Sequence, residues 1–225
     1  MGSEVVNKPG RRKPTSRRTT YLLIGVVVAV LVVAAGWYYY NSGASTLPGT
    51  GKYARIYTSL GSFEVELYPS SAPQTVANFV HLAQTGFYDN LVWHRIAAAP
   101  DVSVIQTGDP STRNAAGDRS TWGGGSSTPT VPLEVSNASL HNDRSYLGLA
   151  RGNDNNSGSC QFYVNTGDNR NLDGRYAVFG RVISGMSVVD ALAALQVYGS
   201  TDPYPEQPVN PSEAMMINVT IIASP

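Results

Sequence analysis

Three short blocks of the chain, set at fixed spacings, carry side chains that could act on a substrate. Residues 93–95 read WHR, residues 106–110 read QTGDP and residues 161–163 read QFY. A fourth block, residues 172–180, reads LDGRYAVFG. Together they supply a cation, two amides and apolar side chains, without a nucleophile paired to a base and without a metal-ligand spacing. This set suits a reaction in which no covalent bond breaks, such as rotation about a peptide bond.

The X–Pro bond is the peptide bond for which such a catalyst is most useful. Its trans preference is small, but its barrier is about 18–20 kcal/mol, so uncatalysed exchange takes tens of seconds or more. At the top of the barrier conjugation is lost and the prolyl nitrogen regains a lone pair. Arg95 is a candidate donor to that nitrogen because its guanidinium is permanently charged. Gln106 is a candidate for holding a substrate carbonyl; a buried glutamine satisfied by backbone is the alternative.

The pattern of apolar residues predicts many short strands and two helices. Alternation indicates half-buried strands, expected over residues 54–58, 63–68, 91–96, 103–106, 147–150, 162–165, 177–182 and 216–222. A first helix is predicted between Ser71, as N-cap, and Gly86, and a second from Ser187. Within the strands, Phe162 should point into the core and His94 should have a structural role. Short strands with two separated helices predict a mainly β fold, a closed antiparallel barrel.

The N-terminal part of the chain has the pattern of a membrane anchor. Residues 1–20 carry a net charge of +5, and residues 21–40 contain no charge and end in Trp-Tyr-Tyr-Tyr. Twenty apolar residues span roughly 30 Å as a helix, the thickness of a bilayer core. We therefore expect a basic cytoplasmic tail (1–20), a transmembrane anchor (21–40), a flexible linker (41–52) and one extracytoplasmic domain (53–225). A cleavable signal peptide is the alternative.

Composition excludes some classes of function for the domain. The net charge of the whole chain is zero, so residues 21–225 carry −5, and binding to nucleic acid through a basic patch is not expected. A single cysteine, Cys160, rules out an intrachain disulfide and is expected to be buried. The three histidines do not have the spacing of metal ligands, so we expect neither a metal nor a cofactor. A hydrolase or metalloenzyme is therefore disfavoured.

Four stretches resemble the cyclophilin-type peptidyl-prolyl isomerases, in the order that the family has them. They read TSLGSFEVELYPSSAPQTVANFVHLAQTGFYDNLVWHRI, VIQTGDP, LGLARGNDNNSGSCQFYV and NLDGRYAVFGRV, and the resemblance covers about residues 53–222. It implies an eight-stranded barrel capped by two helices, with a site for proline-containing polypeptides on its outer wall. The family's catalytic arginine and glutamine fall on Arg95 and Gln106. Its substrate-binding positions fall on Val102, Ser103, Val104, Ala150, Arg151, Gln161, Tyr163, Leu172 and Tyr176.

The chain also departs from the family pattern beside the expected proline pocket. Arg95 and Gln106 are eleven positions apart, more than is usual in the family, and the extra residues fall within 97–102. A phenylalanine that normally floors the pocket is replaced by Ser103, with Val102 as the nearest apolar substitute. Asn171 stands where the family has an aromatic residue that contacts cyclosporin. We therefore expect weak or absent binding of that drug.

The sequence thus favours a membrane-tethered peptidyl-prolyl cis-trans isomerase that acts as a monomer on exported or membrane proteins. The alternative is a non-catalytic module or chaperone that grips proline-containing segments, its pocket degraded by the change at Ser103. Retention of Arg95 and Gln106 favours the enzyme.

Overall fold

The computed structural model of the protein describes residues 53–225. The predicted basic tail, transmembrane anchor and linker, residues 1–52, lie outside the described residues. Within residues 53–225, the helices are too short or too polar to cross a membrane.

Nine strands, two α-helices and four short 3₁₀ helices make up the regular structure of residues 53–225. The strands are β1 (Tyr53–Thr58), β2 (Gly61–Leu67), β3 (Leu91–Val92), β4 (Arg95–Ala98), β5 (Ser103–Thr107), β6 (Tyr146–Leu149), β7 (Phe162–Asn165), β8 (Val178–Ser184) and β9 (Met215–Ile222). The helices are α1 (Pro73–Gln84) and α2 (Met186–Ala193). The predicted mainly β fold with two helices is confirmed.

The strands form one curled antiparallel sheet in the order β3-β9-β1-β2-β8-β6-β7-β5-β4. Its two edge strands, β3 and β4, are consecutive in the chain and are separated only by Trp93 and His94. The expected eight-stranded barrel is therefore corrected to a nine-stranded curled sheet. The segment 91–96, predicted as one strand, is divided because its first half pairs with β9 and its second half with β5.

The inner face of the sheet and helix α1 enclose an aromatic core. The ring of Phe79 from α1 lies 5.4 Å from the rings of both Phe162 and Phe179. Phe162 is fully buried, which confirms its predicted place in the core. Cys160 is also buried, and burial raises the pKa of its thiol.

Helix α1 receives its N-terminal cap from a distant part of the chain. The helix begins at Pro73, and the residue before it, Ala72, makes no side-chain capping bond. Instead, the Glu134 carboxylate accepts hydrogen bonds from the backbone N–H groups of Gln74, at 3.0 Å, and Thr75, at 2.8 Å. The prediction of Ser71 as N-cap is wrong, because a carboxylate 59 residues away satisfies these donors.

Candidate active site

A row of paired residues crosses four neighbouring strands on the outer face of the sheet. Arg95 of β4 is opposite Gln106 of β5, which is opposite Tyr163 of β7, and Tyr163 is opposite Gly148 of β6. Because successive side chains of a strand alternate between faces, the neighbours of this row, such as Ile105, point into the core. The pairing register thus brings the two candidate catalytic residues together with Tyr163.

The row lies in a cleft of about 290 Å³ that is lined by nine residues, all of them predicted site residues. They are Arg95, Val102, Val104, Gln106, Ala150, Arg151, Tyr163, Leu172 and Tyr176. Two other predicted residues, Ser103 and Gln161, do not line this cleft.

The floor of the cleft is apolar. Ala97, Val104 and Tyr163 form a small buried cluster, and Val102 and Leu172 pack against it. The extra residues between Arg95 and Gln106 lengthen the β4–β5 hairpin, whose turn is closed by backbone bonds between residues 99 and 102. Ala97 was not predicted as part of this floor, although it lies two positions after Arg95 and therefore on the same face of the strand.

Ser103 belongs to a polar network beside the cleft. Its hydroxyl shares a hydrogen bond with the Thr166 hydroxyl at 2.9 Å, and its backbone N–H donates to Asn169 Oδ1 at 2.8 Å. By strand alternation, Val102 shares the face of Val104 and Gln106, and Ser103 does not. The residue in the wall of the cleft is thus Val102 rather than Ser103.

The orientation of the Gln106 amide is fixed by Gln161. The Nε2 group of Gln161 donates to the carbonyl oxygens of Gly123, at 3.0 Å, and Gly125, at 2.7 Å. Its Oε1 atom must then face Gln106, whose Nε2 donates to it at 2.8 Å. This leaves Oε1 and the second Nε2 hydrogen of Gln106 for a ligand. Gln161 itself lines a neighbouring hollow of about 230 Å³, together with Gln106 and Arg151.

Asp109 holds the same glycine segment from its other side. The Asp109 carboxylate accepts hydrogen bonds from the backbone N–H groups of Ser111, Gly123 and Gly125. Burial alone would raise the pKa of Asp109, but hydrogen bonds from Ser111 and Gly125 outweigh burial and lower the pKa. Asp109 therefore fixes the glycine segment whose carbonyl groups orient Gln161 and, through Gln161, Gln106.

Comparison with known proteins assigns the chain to a family. A family model described as cyclophilin type peptidyl-prolyl cis-trans isomerase/CLD matches residues 53–214. The chain belongs to the cyclophilin-type peptidyl-prolyl cis-trans isomerases. Over 149 residues it is 39% identical to the peptidyl-prolyl cis-trans isomerase-like 1 of Aspergillus oryzae, which covers 66% of this chain and 86% of that protein.

Solved structures of cyclophilins share the fold. A crystal structure of a cyclophilin type peptidyl-prolyl cis-trans isomerase from Cryptosporidium parvum has a TM-score of 0.62 and 24% identity, covering 77% of this chain and 99% of that one. A second structure of the Cryptosporidium parvum protein, in the presence of the dipeptide Ala-Pro, has a TM-score of 0.61 and 25% identity, covering 76% and 99%. Together with the family model and the Aspergillus oryzae relative, this shows an isomerase of the cyclophilin class, and the alternative of a non-catalytic module is not favoured.

In this cyclophilin two contacts hold the Tyr163 side chain in the cleft floor, one at its hydroxyl group and one at its ring. Its hydroxyl donates to Asn142 Oδ1 at 2.7 Å, and burial raises the pKa of Tyr163 well above its usual value. The Tyr176 ring stands nearly perpendicular to it, with centroids 6.0 Å apart. The Arg151 guanidinium lies 4.9 Å from the centre of the Tyr176 ring, a cation–π contact that steadies the rim.

Arg95 contributes the cation of the cyclophilin cleft and is paired through one nitrogen. Its Nε donates to Glu206 Oε2 at 2.6 Å, and each of the two side chains is 39% exposed. Among residues 53–225, its two terminal nitrogens have no hydrogen-bond partner. Glu206 was not predicted as a partner of Arg95, because it lies in a loop 111 positions away.

His94 lies beside Arg95 but takes no part in lining the cleft. It is buried, and burial lowers the pKa of its imidazole to about 4, so the ring is neutral at physiological pH. Within residues 53–225, no group of three or more His, Cys, Asp or Glu side chains is placed to hold a metal ion.

Proposed function

We propose that the cleft between Arg95 and Tyr163 isomerises X–Pro bonds in polypeptides, with Arg95 and Gln106 as its catalytic residues. The observation that carries these roles is the cross-strand row, which places a cation, an amide and an apolar floor side by side. The Cryptosporidium parvum structure obtained in the presence of Ala-Pro supports a proline-containing ligand for this fold.

The proline ring would lie on the floor formed by Val104 and Tyr163, with Val102 and Leu172 at its sides. Burying the ring there holds one side of the rotating bond, while the other side remains free to turn. The terminal nitrogens of Arg95 can then donate to the prolyl nitrogen, whose lone pair is available only when the amide is twisted. A donor that acts only on the twisted form stabilises the transition state without binding the planar ground state more tightly, so it lowers the barrier.

Gln106 would hold the polypeptide next to the rotating bond. Its amide is turned by Gln161, so it offers one acceptor and one donor at a fixed position in the cleft. A backbone N–H and a backbone carbonyl of the substrate match these two groups. Arg151, at the opposite rim, would line the path of the substrate chain.

Exchange NMR on an Ala-Pro peptide tests the catalytic roles. Wild type should accelerate cis–trans exchange, and Arg95→Ala should lower kcat/KM by about 100-fold, the usual effect of removing a transition-state donor. Arg95→Lys keeps the charge but changes the donor geometry, so partial activity is expected. Equal exchange rates for wild type and Arg95→Ala would contradict the assignment and favour a binding module.

We also propose that residues 21–40 tether the isomerase domain to the cell membrane in a single pass. The support is the sequence: an uncharged apolar run, basic residues before it and aromatic residues at its end. The domain would then assist the folding of exported or membrane proteins outside the cytoplasm, as a monomer. Protease added to intact cells should remove the domain and spare the basic tail, whereas a protected domain would contradict this topology.

Weak or absent binding of cyclosporin is part of the same proposal. Asn171, which precedes Leu172 of the cleft, provides no aromatic surface for an apolar ligand. Calorimetry with wild type and Asn171→Trp tests this expectation. Saturation of the wild type at micromolar drug would contradict it, and a gain of binding in Asn171→Trp would support it.

A further inference from the structure

A hairpin-like segment between α2 and β9, residues 196–209, packs beside the catalytic cleft. We call it the 196–209 loop. Its two arms are joined by a β-bridge between Val197 and Pro208 and by backbone bonds such as Val209 N–H to Gln196 O, at 2.9 Å. The loop is therefore an ordered element with its own hydrogen bonds.

Arg119 fastens the 196–209 loop to the rest of the domain. Its guanidinium donates to the carbonyl oxygens of Pro208, at 3.0 Å, and Val209, at 3.2 Å. It also lies against the rings of Trp122 and Tyr198, at 5.1 and 5.4 Å from their centres. These contacts fix the C-terminal arm of the loop and so limit where Glu206, two residues before Pro208, can lie.

Next to the bridge, the C-terminal arm of the loop contacts β4 twice, through a single residue that also pairs with Tyr198. The backbone carbonyl of Glu206 accepts a hydrogen bond from Ile96 N–H at 2.8 Å, and its carboxylate accepts one from Arg95 Nε at 2.6 Å. Glu206 has a φ of +63°, in the left-handed region that glutamate rarely adopts. A strained backbone that delivers a carboxylate to a catalytic arginine indicates a functional constraint at this position.

We propose that Glu206 is a positioning residue for Arg95. This inference rests on the proposed role of Arg95 in isomerisation. The guanidinium is planar, so a carboxylate on Nε restricts both the rotation of the side chain and the plane of its terminal nitrogens. Those nitrogens are then aligned with the cleft before the substrate arrives, which reduces the ordering required at the transition state.

Three substitutions distinguish the effect of the Glu206 carboxylate from the effects of the loop backbone and of a lost negative charge. Glu206→Gln keeps an oxygen that can accept from Arg95 Nε. Glu206→Asn suits the left-handed backbone better than glutamate but is too short to reach Arg95. Asp101→Asn removes an exposed charge in the β4–β5 turn and serves as a control for the general loss of a carboxylate near the cleft.

The kcat/KM of these variants should depend on whether residue 206 still accepts a hydrogen bond from Arg95 Nε, and not on whether a negative charge is kept. Glu206→Asn is expected to lower kcat/KM by about 3- to 10-fold, mainly through kcat, the range for a partly exposed hydrogen bond between charged groups. Glu206→Gln should retain most of the activity, and Asp101→Asn should match wild type. Wild-type or higher kcat/KM in Glu206→Asn would overturn the proposal; a higher value would identify Glu206 as a latch that withholds Arg95.

A double-mutant cycle distinguishes positioning from a merely structural role. In an Arg95→Ala background, Glu206→Asn should have no further effect on the residual rate, because the carboxylate then has nothing to orient. An equal loss in both backgrounds would overturn the proposal. If Arg95→Ala is as active as wild type, the proposed function itself fails; if only Glu206→Asn is silent, Arg95 keeps its role and the inference about Glu206 fails alone.

NMR of the arginine side chain gives a direct structural readout. The Nε–H proton of Arg95 should be protected from exchange with solvent in wild type and in Glu206→Gln. It should exchange faster in Glu206→Asn. Equal protection in all three proteins would show that Glu206 does not hold the guanidinium and would overturn the proposal.

Discussion

The ring of Tyr163 lies across the backbone of Gly148, the residue directly opposite it on the neighbouring strand. A Cβ atom at position 148 would come closer to the Tyr163 ring than any real contact allows. The glycine is therefore required by the tyrosine, and the pair sets the depth of the cleft floor. Gly148→Ala should destabilise the fold by about 1–3 kcal/mol, as overpacking does, and lower isomerase activity. Urea unfolding and peptide exchange measure the two effects.

A compensating change at Tyr163 tests this explanation. In Gly148→Ala/Tyr163→Val the ring is gone, so the added methyl group has space and stability should recover relative to Gly148→Ala alone. Activity should stay low because the cleft has lost its aromatic floor. If the second substitution fails to recover any stability, the clash is not the cause of the loss.

Gln161 provides a second prediction, because its amide joins the glycine segment 123–125 to Gln106, the proposed catalytic amide. In Gln161→Leu both sets of hydrogen bonds are lost, and we expect about a 10-fold lower kcat/KM through misorientation of Gln106. In Gln161→Glu one oxygen still accepts from Gln106, while the other faces the carbonyl oxygens of Gly123 and Gly125. This variant should be more active than Gln161→Leu, but the amide protons of Gly123 and Gly125 should exchange faster than in wild type. Equal activity of the two variants would contradict the proposed orientation of Gln106.

The buried His94 predicts how stability depends on pH. Its pKa falls from 6.5 to about 4 on folding, because burial disfavours the charged ring. The unfolded chain therefore binds a proton between these values that the folded chain does not, and stability falls as the pH drops from 6.5 towards 4. The shift corresponds to about 3 kcal/mol. Denaturant unfolding at several pH values should show this loss, with a flatter profile in His94→Gln; identical profiles would contradict it.

The structure gives Glu134 as the cap of helix α1, whereas the sequence pattern predicted Ser71, and mutation distinguishes the two. Glu134→Ala should reduce the free energy of unfolding by about 1–2 kcal/mol, since it leaves the first N–H groups of the helix without acceptors. Ser71→Ala is the matched control, because within residues 53–225 the Ser71 hydroxyl pairs only with the exposed Asn137 side chain. It should have little effect. A larger loss in Ser71→Ala than in Glu134→Ala would restore the interpretation of Ser71 as the cap.

The local alternation of apolar and polar residues was sufficient to predict most strands of the sheet and which side of strand 162–165 faces the cleft. The strand 162–165 was predicted with the observed bounds, since alternating apolar residues are a signal contained in a few neighbouring positions. The same alternation explains why Phe162 is in the core and Tyr163 in the cleft. The division of residues 91–96 could not be predicted, because it depends on which distant strand each half pairs with.

The parts of the site that escaped prediction are those contributed by distant segments. Asn142, Gly148 and Glu206 support Tyr163 or Arg95 through contacts that no short motif encodes. Ala97 is different, because the register of Arg95 with Gln106 already implies that it lies opposite Val104, in the buried cluster with Tyr163.

The cross-strand row has a consequence for how the domain acquires activity. Its members come from positions 95, 106, 148 and 163, and the sheet that aligns them begins near residue 53 and is completed by β9, near the end of the chain. Pairings between residues so far apart in the chain form late and cooperatively. Catalytic competence should thus arise only once the whole domain has been synthesised and has folded, so a nascent or truncated chain would be inert towards its clients.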